Sequence, residues 1–199
     1  MKKFELTAES KINIFRKKLF RIKALISFGD VEEGETGGWI EKEENLEQSS
    51  GDAWVYGNAE VYGNARVSGN ARVSGNAEVY GNAEVSGDAE VSGDAEVSGN
   101  ARVSGNAEVY GNARVSGNAE VSGNADYTTI HGFGTQFRTT TFFQCEDKQI
   151  RVSCGCFLGT IPEFREQVKN TREGKIAEEY LMIADLMEKH FVKEKESGE

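Results

Sequence analysis

The residues with the widest chemical reach fall in one stretch, His131-Gly132-Phe133-Gly134-Thr135-Gln136-Phe137-Arg138-Thr139-Thr140-Thr141. Glycines free backbone N–H groups to converge on an anion, hydroxyls add donors, and the Arg138 guanidinium offers a fork for phosphate or carboxylate. Phe133 and Phe137 add ring faces on which a base could stack. His131, Gly132, Phe133, Gly134, Phe137, Arg138 and Thr139 are therefore the candidate contacts of an anionic ligand, a nucleotide in particular. His131 is one of two histidines, and it could serve as a general base if the protein were a transferase. His190 sits beside Phe191 in a helical pattern and suits packing or surface exposure better. Cys154 and Cys156 flank Gly155 and share a strand face, and Cys145 could lie opposite them; with a histidine they would make four zinc ligands. Their spacing is not a common zinc pattern and small buried thiols pack well, so no metal is expected.

Those residues need a scaffold. Around them, Thr139 to Gln144 and Gln149 to Cys154 carry the β-branched and aromatic content of a hairpin spanning 139–154. Thr160-Ile161-Pro162-Glu163 has the spacing of a capping box and opens a helix over about 161–169. Ile176, Tyr180, Ile183, Met187 and Phe191 recur at three and four residues, which predicts an amphipathic helix over about 175–194. Residues 127–199 thus read as an α+β module, its helical stripe available to the rest of the chain or to a second subunit.

The module follows a long repeat. From Gly51 the sequence runs Gly-(Asn/Asp)-Ala-x-Val-(Ser/Tyr) twelve times without a gap through Ser122. In each unit Ala and Val point to one side of an extended strand while x and Ser/Tyr point to the other, and the Gly-Asn or Gly-Asp pair supplies a corner. Three sides per turn give four complete coils, stacked at roughly 4.8 Å per rung. The fold class is mainly β: a left-handed parallel β-helix over 51–126, an N-terminal β cap over 1–50, and the C-terminal hairpin with two helices.

Threading the hexads by threes sorts the outward side chains. Arg66, Glu84, Arg102 and Glu120 alternate in sign along one face, as a cross-strand salt ladder would. Glu60, Glu78, Glu96 and Arg114 form a second column, with Tyr62 above Tyr80. Trp54, Arg72, Glu90 and Glu108 form a third. Glu60, Glu78, Glu96, Glu90 and Glu108 are read as an acidic interaction face for a basic partner, since like charges stacked so closely cost stability.

The hexads carry a resemblance. In left-handed β-helix proteins a branched aliphatic is followed four residues later by a small residue, as Val55 is by Ala59. Gly34-Glu35-Thr36-Gly37-Gly38-Trp39-Ile40, with Gly51-Asp52-Ala53-Trp54-Val55-Tyr56, resembles the approach to the first coil in the YdcK-like family of bacterial and phage hexapeptide-repeat proteins. Thr140-Thr141-Phe142-Phe143, with Val152-Ser153-Cys154-Gly155-Cys156-Phe157 and Gly159-Thr160, is similar to a C-terminal module of uncharacterised phage proteins. The first resemblance implies a homotrimer and the label of acyltransferase, with acyl-CoA as cofactor and His131 as the base. Against it, the repeats contain no histidine and no loop breaks a coil.

Composition narrows the classes further. The net charge of −10 argues against direct nucleic-acid binding, which needs cations against phosphates. Residues 1–24 carry +6, residues 25–50 and 51–126 carry −7 each. No apolar run is long enough to span a bilayer, and Met1-Lys2-Lys3-Phe4-Glu5-Leu6 lacks the apolar core of a secretion signal. A cytoplasmic site in a bacterial host cell, with no membrane contact, is expected. The preferred reading is a non-enzymatic phage-type binding protein that inhibits a host defence component or sequesters a nucleotide, with no cofactor. Its alternatives are an acyl-CoA-dependent acyltransferase and a structural virion component.

Overall fold

The computed structural model describes residues 2–191. From Trp54 to Val121 the hexads form a parallel β-solenoid. Each contributes a two-residue strand, from β4 (Trp54–Val55) to β15 (Glu120–Val121), and each of the first nine pairs in parallel with the strand eighteen residues on, as Glu60 does with Glu78 and Val61 with Val79. The inward Ala and Val side chains are at most 2% exposed along its whole length. Burial that complete needs a corner tight enough to keep every coil the same size. At Gly87 φ is +69°, and a Cβ there would stand 2.9 Å from the Gly105 backbone nitrogen. Glycine is required on two counts, the left-handed backbone and the close approach of successive coils. Asparagines at the corners join coil to coil: Asn64 Nδ2 donates to Asn82 Oδ1 (3.1 Å), Asn82 to Asn100 (2.9 Å) and Asn100 to Asn118 (3.1 Å). The other two columns stop at a carboxylate, Asn70 donating to Asp88 and Asn76 to Asp94, because an ionised aspartate has no proton to pass on.

The solenoid has about five turns rather than four. β3 (Thr36–Ile40) pairs in parallel with β5 (Glu60–Val61), Trp39 opposite Glu60, and Leu46 bridges in parallel to Val67. The extra coil lies inside the stretch expected to be cap. Ile40 and Leu46 stand six residues apart and take the Val positions. Nine residues then separate Leu46 from Val55, and the repeating corners are missing, so the period is hidden. The true cap is the hairpin of β1 (Phe4–Ile12) and β2 (Lys18–Ala24), joined antiparallel to β3. Beneath it the first coil's carbonyls are closed by side chains. Lys3 Nζ donates to Ala53 O at 3.0 Å, and Asn45 Nδ2 donates to Ala65 O at 2.8 Å and Gly63 O at 3.2 Å. Burial lowers the Lys3 ammonium's pKa, against the pull of Asp52 and Glu47.

At the other end a four-stranded antiparallel sheet, β16 (Tyr127–Phe133), β17 (Arg138–Gln144), β18 (Ile150–Cys154) and β19 (Phe157–Thr160), stands in sequence order. The expected hairpin is β17–β18, and a further strand flanks it on each side. β17 closes the last coil: the Arg114 N–H donates to Thr141 Oγ1 (3.0 Å), the Glu146 N–H to Asn118 O (3.1 Å), and Cys145 bridges Ala119. α1 (Ile161–Thr171) opens at the capping box read from sequence, Thr160 Oγ1 accepting from the Glu163 N–H while Glu163 Oε2 accepts from the Thr160 N–H. α2 (Gly174–His190) follows; residues 192–194 of its expected span lie outside the described residues. Tyr180, Ile183 and Met187 bury against Phe142, Val152 and Phe164. The apolar stripe is consumed within its own module, so it does not support a trimer. No helix among the described residues is long and apolar enough to cross a membrane.

Candidate anion-binding site

The stretch 131–141 is the end of a hairpin. β16 and β17 pair from Tyr127 opposite Phe143 to Ile130 opposite Thr140, then slip register before Phe133 meets Arg138. Gly132, at φ +92°, absorbs the slip as a bulge. The turn 134–137 closes with Gly134 at φ +71° and Phe137 at φ +48°. Gly134 makes no anion cradle. A side chain there would collide with the Tyr180 hydroxyl, which donates to Phe133 O at 3.3 Å and pins the hairpin to α2. Phe133 packs partly buried against the module's core. Gly132, Phe133 and Gly134 shape the hairpin, and none of the three lines the hollows described next.

The other four candidates come together. His131, Phe137, Arg138 and Thr139 line an open hollow of about 610 Å³ whose floor is Asn112 and Arg114 of the last coil and whose far wall is Gly155 and Cys156. Phe137 is 64% exposed; its left-handed backbone is uncommon for an aromatic residue. His131 Nδ1 lies 3.3 Å from Thr139 Oγ1, and no carboxylate among the described residues orients the ring. Arg114 pairs with Glu96 at 2.9 Å. Arg138 has no carboxylate within pairing distance among the described residues. Its guanidinium lies over the bare Cα of Gly155, itself at φ +63°, where any Cβ would meet it at 2.5 Å. A second, smaller hollow of about 110 Å³ is lined by Arg138 together with Arg172, Gln136, Cys154 and Tyr180. Arg138 and Cys156 line both hollows.

Sequence reasoning missed Arg114, Gly155 and Arg172. Arg114 carried a signal: it is the one cation ending a column of three glutamates. Gly155 and Arg172 carried none, since their roles depend on the β18–β19 turn and on where α1 ends.

The cysteines do not form a zinc set. Cys154 sits opposite Thr140, and its sulfur accepts from Thr140 Oγ1 at 3.2 Å. Cys145 lies beyond the other end of the same strand pair, five residues along, roughly 16 Å at 3.3 Å per residue. It packs against the solenoid's end, where burial pushes its thiol up to about 11. Among the described residues no three His, Cys, Asp or Glu side chains group as metal ligands. His190 is exposed and touches only Phe191 among aromatic rings.

The acidic interaction face divides into two. Glu60 accepts from Lys11 (2.8 Å) and Asn13 (3.1 Å), Glu78 from the Tyr62 hydroxyl (2.8 Å), and Glu96 from Arg114. Tyr62 and Tyr80 stack in parallel, centroids 5.1 Å apart, with Phe15 over both. Each carboxylate of that column is paired or hydrogen-bonded from within the chain and the column is partly covered by Phe15 and the two tyrosines, so it is not a free acidic face. Burial raises the Glu78 carboxyl, offset by the tyrosine's hydrogen bond, and burial raises the Tyr62 hydroxyl above its ordinary value. Glu90 and Glu108 remain exposed. On the alternating face the ladder is partial: Arg102 reaches Glu84 at 3.7 Å, while Glu120 is taken by Lys148 at 3.1 Å.

A parallel solenoid of hexapeptide rungs, capped by a β-hairpin and ended by a small α+β head, defines the class as a β-solenoid repeat protein. Residues 59–75, 65–81 and 107–123 match the YdcK beta solenoid repeat. No curated protein matches the chain.

Proposed function

We propose that the protein is a non-enzymatic binding protein whose C-terminal module holds a phosphate-bearing small molecule, a nucleotide by chemical class, with the solenoid as a rigid mount. One observation carries the reading: Arg138 lies over Gly155 and lines two hollows, with no carboxylate partner among the described residues. A guanidinium left with open donors beside Arg114 and Arg172 favours an anion with several acceptor oxygens. Phe137 on the rim offers its ring to a base. In the phage setting that the module's resemblance implies, such a protein acts by keeping the ligand from a host component.

The reading is tested by titration calorimetry with inorganic phosphate, AMP, ADP and ATP. A nucleotide is expected to bind, and Arg138→Ala to weaken it by about ten- to a hundredfold, as loss of a charge-assisted hydrogen-bond pair does, with the circular dichroism unchanged. Gly155→Ala, which displaces the guanidinium, is expected to weaken it similarly. Absence of heat with all four compounds, or an Arg138→Ala variant that binds as wild type does, would sink the reading.

A further inference from the structure

Two exposed surfaces of opposite charge are left without partners. The first is the tip of the β1–β2 hairpin, where Ile12 is 73%, Ile14 85% and Phe15 55% exposed. The exposure is built in. Asn13 Oδ1 accepts from the Phe15 and Lys17 N–H groups (3.1 and 2.9 Å), Asn13 O accepts from the Arg16 N–H (3.0 Å), and Asn13 Nδ2 ties the turn to Glu60. The tip is thus a rigid prong lying along the solenoid's flank. Lys11 and Lys17 are spent on Glu60 and Glu41. Arg16 and Lys18 are exposed and pair with no carboxylate among the described residues.

The second surface lies on another side of the solenoid. Glu90 stands in register with Glu108 on the next rung, a like-charge pair that costs stability where nothing offsets it. The neighbouring cation, Arg72, is already taken by Asp30. Every glutamate of the Glu60 column has a donor from its own chain; Glu90 and Glu108 have none among the described residues. Tyr110, two residues past Glu108 and 60% exposed, supplies an apolar face beside them.

We propose that the prong of one copy docks on the Glu90–Glu108–Tyr110 face of a second copy of this chain. Arg16 and Lys18 meet the two carboxylates, and Ile12 and Ile14, which unlike Phe15 have no ring of their own chain to pack on, lie against Tyr110. The charge match selects this occupant: Lys2, Lys11, Lys17 and Arg21 are paired within the chain, so Arg16 and Lys18 are the cations the prong has to offer and Glu90 and Glu108 the carboxylates the face leaves open, and each surface supplies what the other lacks. A single flank also explains both oddities, an apolar tip held out to water and an acidic pair left uncompensated. The contact is heterologous, prong to face, so its symmetry is that of a ring or chain of copies rather than a two-fold dimer.

Sedimentation velocity on the full chain across a concentration series tests it by charge exchange. Wild type is expected to associate, more weakly as salt is raised. Arg16→Glu with Lys18→Glu should be monomeric where wild type associates, and so should Glu90→Lys with Glu108→Lys. An equimolar mixture of the two double variants should associate again, because a reversed prong then meets a reversed face. Recovery on mixing cannot come from misfolded protein. Arg138→Ala should associate as wild type does, which separates this surface from the ligand site. A wild type that is monomeric throughout, association untouched by either double variant, or a mixture that stays monomeric would each overturn the proposal.

Discussion

The solenoid and the C-terminal module bury their backbones by opposite means. Along the solenoid one environment is repeated: the same glycine corner, the same Ala and Val inside, the same rung pairing. A position that recurs every eighteen residues can build a ladder but seldom a concave site, because its neighbours above and below are copies of itself. In the module no two strands are alike. A bulge at Gly132, a left-handed Phe137 and a bare Gly155 break the regularity, and the hollows around Arg138 open there. Regularity supplies stiffness, and its interruption supplies a place for a ligand.

The largest effect that sharpens this contrast comes from the same substitution in the two regions. Gly87→Ala must take φ +69° and also push a methyl against the next coil. It is expected to cost about 3 kcal/mol or more, the sum of backbone strain and overpacking. Gly132→Ala has a comparable φ of +92° but open space around it, and should cost about 1 kcal/mol. Urea unfolding of both variants checks the pair; equal losses would mean that coil-to-coil contact is not what demands glycine in the solenoid.

A second effect concerns the seam between the regions. Burial raises Cys145 from 9.0 to about 11 and Tyr127 from 10.0 to about 12. Folded pKa values above the unfolded ones mean that these groups hold their protons longer in the native state. Their contribution is complete below about pH 9 and is lost as pH rises through 11 and 12, by a few kcal/mol, since each pKa unit is worth about 1.4 kcal/mol. Alkaline unfolding followed by fluorescence should start at this seam, with hydrogen exchange rising first in β16 and β17. Exchange that rises first in the middle coils would break the comparison.

The smallest effect tests whether the corner ladders stabilise at all. Asp88→Asn keeps the acceptor for Asn70, adds a donor toward the next coil and removes one negative charge from an acidic rod. It should raise stability by about 0.5 kcal/mol, the low end for an exposed hydrogen bond. A lowered melting temperature would show that the Asn70–Asp88 bond draws its strength from the carboxylate's charge.

Much of the fold was legible and less of the site. The period of six, with glycine and asparagine at every corner, left the chain one economical way to extend, and the Thr160–Glu163 box announced α1. The first coil was not legible, because Ile40 and Leu46 keep the spacing while the corner residues that mark it are absent. His131, Phe137, Arg138 and Thr139 were found from residue type alone. That Gly132, Phe133 and Gly134 lie outside the linings of both hollows, and that Arg114 and Gly155 line one of them, was not.

The rung is a local matter, because strand alternation and glycine's access to positive φ act within six residues and repeat. Which charges stay free is a matter of the folded chain, because their partners come from far along it: Lys11 to Glu60, Asp30 to Arg72, Lys148 to Glu120. The same holds for Arg138, whose place in the lining of two hollows depends on a turn and a helix end that no local pattern connects to it. Local physics sets the repeating unit, and long-range packing selects the few side chains left open to a partner.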